Sequence, residues 1–423
     1  MTDYPNEKLR RLMEKGVRIP TPESVDIGDE VSVDRISGQG VTIHAGSRIR
    51  GAGTLIMAGA RIGEEAPATV DNCHIGPEVQ LKGGFYSGSV FLKGAAVGSS
   101  AHIRPGTIFE EKASAAHAVG LKQSILFPYV TIGSLINFCD ILMSGGTGPK
   151  HHSEVGSSYI HFNFTPNQDK ATASLLGDVP QGVMLDQDPI FLGGQGGLVG
   201  PCNLAFGTVI AAGTIYRKDE SRPGRLLTAA TGRGGSIPYT AGIYRSVKRV
   251  VANNMNYLAN LIALGQWYRH ARKRFIGAEF SEALWEGLIA ALDADTAAHV
   301  RQFEGFVAKL TGSVDKLRQG IITTAGDHLI AQHEAVIDRW PEMLSIINEL
   351  RAAPGDVTLQ ERFLEALSRR IARSEGDYLS AIHALDEQEK ESGRRWLAGI
   401  VDQVVAPLEA LLPALFGSPK KQI

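Results

Sequence analysis

The residues best equipped for chemistry cluster in one irregular stretch, Ser144-Gly145-Gly146-Thr147-Gly148-Pro149-Lys150-His151-His152-Ser153-Glu154. Imidazole titrates near neutral pH, so His151 or His152 is suited to take the proton of an attacking amine, with Glu154 fixing the tautomer of the ring. A backbone N–H of such a loop could hold the oxyanion of a reacting thioester. Two other readings stay open at this level. Adjacent histidines are often ordinary surface residues. A histidine pair can also ligate a metal across a subunit interface, although the His-x4-His spacing for such a site is missing and only His102, His117 and His161 remain as helpers.

A loop of this kind needs a rigid frame, and the frame is written in steps of six. Leu192, Leu198, Leu204 and Ile210 follow one another at that interval, as do Ile43, Ile49 and Leu55, then Ile75 and Leu81, then Val97, Ile103 and Phe109. A six-residue period fits neither the 3.6 of a helix nor the 2 of a strand, and it predicts a β-solenoid whose short strands each give one apolar residue to a central column. One coil buries little, so the pattern must recur before it can fold. The pairs Ile27-Gly28, Ile62-Gly63, Ile75-Gly76, Val97-Gly98, Ile132-Gly133, Val155-Gly156 and Leu192-Gly193 place glycine at corners where a side chain would clash.

The solenoid does not fill the chain. Of 48 glycines in 423 residues, 36 precede Ile243 and 12 follow it, which separates a turn-dense part from one that permits helices. The expected organisation is a short N-terminal helix in 1–23, the repeat in 24–216, an irregular loop or tail in 217–243, and a helical bundle in 244–423. In the last part Val247, Val251, Met255, Leu258 and Ile262 step by three or four, and Thr358 with Glu361 reads as a capping box. No ligand spacing is evident there: His328 and His333 are five apart, and His270 and His383 stand alone.

A net charge of −2 gives no reason to expect nucleic acid or an anionic membrane as partner. Three cysteines, Cys73, Cys139 and Cys202, are too scattered for a disulfide framework or a metal knuckle. The charged opening segment is not a secretory signal, and the apolar run from Ile400 to Phe416 is broken by Asp402, Pro407, Glu409 and Pro413, so a cytoplasmic protein is expected.

Several segments carry a resemblance to a known family. Ile103-Arg104-Pro105-Gly106, Gly120-Leu121-Lys122, the run from Val155 to Phe164, Phe191-Leu192-Gly193-Gly194 and Ile210-Ala211-Ala212-Gly213-Thr214 resemble the left-handed β-helix of the hexapeptide-repeat acyltransferases. The likeness is to the acetyltransferase half of the bifunctional enzymes that acetylate glucosamine-1-phosphate and form UDP-N-acetylglucosamine, and it covers residues from about 6 to 216. It implies a left-handed coil, a homotrimer with sites between protomers, acetyl-CoA or another acyl-CoA as co-substrate, and a sugar phosphate or nucleotide sugar as acceptor. Arg104 and Lys122 would hold phosphate, a task suited to a guanidinium fork and an ammonium. Asn163, Phe164 and Lys170 would contact the sugar and its charged groups, and Gly193, Gly194 and Ala212 would line the CoA groove. No Gly-rich nucleotide loop precedes the repeat, so pyrophosphorylase chemistry is not expected.

The departures matter as much. Where the family has its histidine base and a following tyrosine, this chain has Ser134 and Asn137, which leaves them as parts of the substrate pocket without a base. Gly194 stands where the family has a serine, and Phe164 lacks the hydroxyl of the family's tyrosine. Residues 179–189 form a second insertion, expected to be a loop at the pocket wall or at a neighbouring subunit. The chain is therefore expected to be a CoA-dependent acyltransferase with His151 or His152 as substitute base, or a non-catalytic nucleotide-sugar binder that has lost its base.

Overall fold

The computed structural model describes residues 7–163, 165–167, 169–228, 240–321 and 326–417. Its first half is a β-solenoid of stacked three-sided coils, in which every strand of the coils pairs in parallel with the strands of neighbouring coils. On the first face the inward column runs Ile27, Ile49, Val70, Tyr86, Ile103, Leu121 and Phe138. The second face stacks Ile56, Ile75, Phe91, Phe109, Leu126, Met143, Leu176 and Leu204. The third stacks Ile43, Ile62, Leu81, Val97, Ala115, Ile132, Val155, Leu192, Ile210 and Leu227. All of these residues are buried, and together they make one continuous core.

Helix α1 (Glu7–Lys15) closes the first coil by burying Leu9 and Leu12. At the other end the stack continues beyond residue 216, where the sequence pattern had suggested a loose tail. Leu226–Leu227 pairs with Val209–Ile210, and Glu220 bridges to Leu204. Backbone pairing with the previous coil and burial of Leu227 suffice to order a polar sequence. Residues 229–239 of the expected linker lie outside the described residues.

The second insertion is also more ordered than a loop. Asp178 caps helix α2 (Val179–Gly182), and the Val179 N–H donates to Asn260 Oδ1 at 2.9 Å. Asn260 belongs to α3 (Val247–Gln266), which pairs with α8 (Glu387–Leu411), while α4 (Glu282–Lys316) packs on α3 and on α5 (Gly326–Leu350). α6 (Val357–Arg373), α7 (Tyr378–His383) and α9 (Pro413–Phe416) complete the described helices. The N-cap of α6 is Asp356, whose carboxylate accepts from the Leu359 N–H, and not Thr358. A true capping box stands instead at Asp386 and Glu389 on α8.

The helical half lies on the second face of the solenoid. Gly287 of α4 rests against the His74 ring so closely that a Cβ would collide with it, Asn254 donates to the Ala171 carbonyl at 3.0 Å, and Asp186 is paired with both Lys390 and Arg394. A deeply buried contact joins Glu110 and Glu111 of the solenoid to Tyr268 and Arg272. Tyr268 donates to Glu110, Arg272 pairs with Glu111, and the Arg272 guanidinium stacks on Tyr378, 3.6 Å from the ring centroid. Burial pushes the Glu110 carboxyl up to about 7, with Arg272 opposing.

A carboxyl that titrates higher in the folded than in the unfolded chain binds an extra proton in the native state, so its stabilising effect is full below its ordinary value and fades as pH rises through the folded one. Unfolding in denaturant should therefore show stability falling between pH 5 and pH 8, and Glu110→Gln, which still accepts from Tyr268, should flatten that slope by on the order of 1–3 kcal/mol. An unchanged slope in the variant would remove Glu110 from the account.

Candidate functional site

Where the first face turns into the second, α4 runs alongside the coils and leaves a cleft of about 570 Å³. The solenoid wall is Pro105, Gly106, Lys122 and Gln123, with Asp169 and Lys170 from the segment after Asn163. The helix wall is Ala294, Asp295, Ala298, Arg301, Gln302, Gly305 and Lys309, which share one side of α4 because they recur at three- and four-residue intervals. Ala294, Ala298 and Gly305 are small, and that keeps the space open. Four cations reach the cleft from two halves of the chain: Lys122, Lys170, Arg301 and Lys309. Lys309 donates to the Asn167 carbonyl at 2.8 Å, whereas Lys122, Lys170 and Arg301 have no carboxylate within salt-bridge distance among the described residues.

Arg104 stands on the coil next to Lys122, since His102 and Ile103 pair with Gly120 and Leu121, and Lys122 in turn pairs with Cys139. The Arg104 guanidinium reaches over that rung to donate to Cys139 Sγ at 3.4 Å. Burial raises the Cys139 thiol, with Arg104 and Lys122 both opposing, which places the two cations around one point of the rim. Below them is a buried polar layer. Asn163 Nδ2 donates to Asp140 Oδ2 at 3.5 Å, and Gln302 Nε2 donates to Asp140 Oδ1 and Gln123 Oε1 at 3.4 and 3.2 Å. His299 Nε2 stands 3.4 Å from Asp295 Oδ1. Burial acts to lower the imidazole, but Asp295 and then Asp140 outweigh it and leave His299 raised, while burial raises Asp140 itself.

The remaining residues singled out from the sequence fall into two other places. Ser134, Gly194 and Ala212 belong to the corner between the third and first faces, where successive coils nearly touch: a Cβ on Gly156 would collide with Gly194, and one on Gly193 with Ala212. Ser134 Oγ lies 3.2 Å from Ser157 Oγ in the same column, and Asn137 opens the first face beside it, exposed. His151 and His152 sit on a hairpin, Gly146–Gly148 against His151–His152, that leaves the solenoid at the opposite edge of the second face. His151 Nδ1 is 3.0 Å from Thr147 Oγ1, His152 Nδ1 is 3.0 Å from the Pro149 carbonyl, and His152 Nε2 is 4.0 Å from Glu154 Oε2. They do not line the cleft that holds Lys122 and Lys170. Phe164 lies outside the described residues.

Of the histidines named as possible metal helpers, His161 is held between the Cys139 carbonyl and Ser174 Oγ and is pushed by burial to about 4, and His102 stacks on Phe85. Among the described residues no group of three or more His, Cys, Asp or Glu side chains is arranged to hold a metal ion. None of the α4 residues that wall the cleft stands in a motif of the sequence. Asp295 and His299, four apart on α4, and the Arg301–Lys309 stripe were visible as spacings, but nothing in the sequence said which side of the helix meets the solenoid.

Fold and site together define a hexapeptide-repeat β-solenoid with a cationic cleft beside its coils and a tight glycine corner. No family model matches the chain. Similarity to known proteins agrees with the class: 26% identity over 215 residues to the bifunctional protein GlmU of Thermotoga maritima, covering 50% of this chain and 42% of that protein. The GlmU of Acidithiobacillus ferrooxidans shares 26% over 246 residues, 56% and 46% of the two chains, and that of Stutzerimonas stutzeri 25% over 235 residues, 55% and 46%. These distant likenesses, with the solenoid, fit a β-helix acyltransferase of the GlmU type over about half of this chain. The chain in turn spans less than half the length of each of these relatives.

The corner also explains one departure from the family. A Cβ on Gly194 would meet the Ser157 carbonyl oxygen at 2.8 Å. Restoring a serine by Gly194→Ser is thus expected to overpack the column and cost about 1–3 kcal/mol in thermal unfolding. Unchanged stability with Gly194→Ser would mean that the corner gives way without strain.

Proposed function

We propose that the protein is a CoA-dependent acyltransferase acting on an amino or hydroxyl group of a sugar phosphate or nucleotide sugar. The observation that carries this reading is the cleft itself, in which Lys122 and Lys170 of the solenoid face Arg301 and Lys309 of α4. Lys122, Lys170 and Arg301, with no carboxylate within salt-bridge distance among the described residues and gathered at one concave site, suit a phosphate or diphosphate. Arg104 stands at its rim and Asn163 joins its polar layer, in keeping with phosphate and sugar roles for these two. The similarity to GlmU proteins supports the acyl-transfer part, with acetyl-CoA or another acyl-CoA lying along the Gly193, Gly194 and Ala212 corner.

A homotrimer suits the surface that is left. The helical half takes the second face, while Ile160 and Ile215 on the first face and Phe191, Val209 and Leu226 on the third remain exposed, in stripes flanking the glycine corner. His151 or His152, assisted by Glu154, could serve as base for a ligand in the cleft only across a contact between copies. No described helix is long and apolar enough to cross a membrane.

A second reading, a non-catalytic nucleotide-sugar binder, is favoured by Ser134 at the family's base position. Calorimetric titration of the full chain separates the two. Acyltransfer requires binding of acetyl-CoA as well as of a sugar phosphate, with Lys122→Ala or Arg301→Ala weakening the phosphate ligand by about tenfold each and leaving acetyl-CoA unaffected. Binding of UDP-N-acetylglucosamine or a sugar phosphate without any uptake of acetyl-CoA would leave the binder.

A further inference from the structure

A second cavity, of about 510 Å³, opens where α2, the last coils and α3 meet, and it shares no lining residue with the cationic cleft. Amides dominate its polar walls: Gln181 of α2, Gln187 beyond it, Asn203 of the coils, and Asn253 and Asn256 of α3. Leu175, Leu204 and Phe206 supply apolar surface. A Cβ on Gly177 would stand 2.4 Å from the Phe206 ring, so that ring is seated against backbone. Among the described residues lining this cavity there is no lysine, arginine or histidine, so nothing there would hold a phosphate or carboxylate by charge.

The carboxylates at this site are already engaged. Asp178 accepts from the Gln181 N–H and from Gln181 Nε2, both at 2.9 Å, and burial raises its carboxyl against those two bonds. Asp219 accepts from the Asn203 N–H at 2.9 Å and from Asn253 Nδ2 at 3.2 Å, while Glu220 is paired with Arg222 at 2.8 Å. What stays open is amide oxygen. Asn253 is 1% exposed, and its Nδ2 donates to Asp219 and to the Arg249 carbonyl, which fixes how the amide is turned. Its Oδ1 is then left without a hydrogen-bond partner, as is Oδ1 of Asn203. Buried polar atoms ordinarily find partners. A hydroxyl can donate to such an oxygen and accept from an amide N–H at the same time.

We propose that this cavity is a second binding site, for an uncharged saccharide, whose hydroxyls meet Asn203, Asn253 and Asn256 and whose C–H face lies on Phe206. An anionic ligand would find no cation there, and a cationic one would find every carboxylate already bonded. A polyhydroxyl compound without charge is the class that fits amides beside an apolar wall. The volume lies within the range of about 300–1,000 Å³ common to small-molecule sites. The site does not depend on the phosphate reading of the other cleft, and it exists only because the helical half packs on the last coils.

The test is calorimetry on the full chain with maltose, cellobiose and diacetylchitobiose as probes, and with spermidine as a cationic control. At least one disaccharide should bind with a Kd of about 1 mM or tighter, and saturating inorganic phosphate should change that Kd by no more than about twofold. Asn253→Ala removes the open oxygen, and Ala252→Leu narrows the cavity from α3 without replacing an amide. Each variant, checked for folding by thermal unfolding, should weaken the disaccharide by about tenfold or more. The two act at different atoms, so one decides if the other fails to fold. Failure of all three disaccharides to bind, affinity kept within about twofold in the folded variants, or loss of binding in phosphate overturns the proposal. Uptake of spermidine in their place would assign the cavity to a cation and overturn it as well.

Discussion

The close approach of one coil to the next is the constraint on which the rest of the structure depends. At the corner between the third and first faces the backbones of successive coils come so near that Gly156 and Gly193 have no room for a Cβ. That contact fixes the register of every coil on its predecessor, and register fixes which residues point inward and which outward. The inward set becomes the buried column of Ile, Val, Leu and Phe, and the outward set places Arg104, Lys122 and Cys139 on successive rungs. A cationic rim is a consequence of stacking, since side chains far apart in sequence are brought one coil apart in space.

The helical half converts that rim into a cleft. Its anchors are buried and specific: Arg272 between Glu111 and the Tyr378 ring, Tyr268 on Glu110, Asn260 on the Val179 N–H, and Gly287 against His74. Such contacts hold α4 in one place, and its small residues then leave space exactly opposite Lys122 while Arg301 and Lys309 border it. A guanidinium and an ammonium from a second domain are thereby added to those of the solenoid. The same packing buries Asp295 and His299 against Asp140, a cluster that burial alone would disfavour and that only mutual charge compensation makes tolerable.

Much of this was legible beforehand, and the reasons are physical. A period of six survives in the sequence because every buried corner needs an aliphatic residue and every tight corner a small one, so the solenoid columns could be read off Leu192, Leu198, Leu204 and Ile210. The helical half announced itself through its loss of glycine and its three-to-four spacing. Lys122, Lys170 and Asn163 were singled out by resemblance, and they come together at one cleft and its polar layer. His151 and His152 looked equally suitable as chemistry, yet the hairpin that bears them leaves the solenoid elsewhere. Helix capping was misjudged by two residues at Asp356, because a cap depends on backbone angles that Thr358 and Asp356 could have supplied equally well from composition.

The sequence by itself determined the coil, its buried columns, the glycine corner and the presence of a separate helical half, since each is encoded in local spacing and side-chain size. Only the tertiary structure decided that α4 lies along the corner by Gly106 and Lys122, that Asp295, Arg301, Gln302 and Lys309 are the side of the helix that faces it, and that His299 ends up beside two carboxylates. Contacts between Gly106 and Asp295, or Gln123 and Gln302, join residues from opposite halves of the chain, and no local period records them. They arise from packing of one domain on another, which is set by shape and buried polar pairing across the interface.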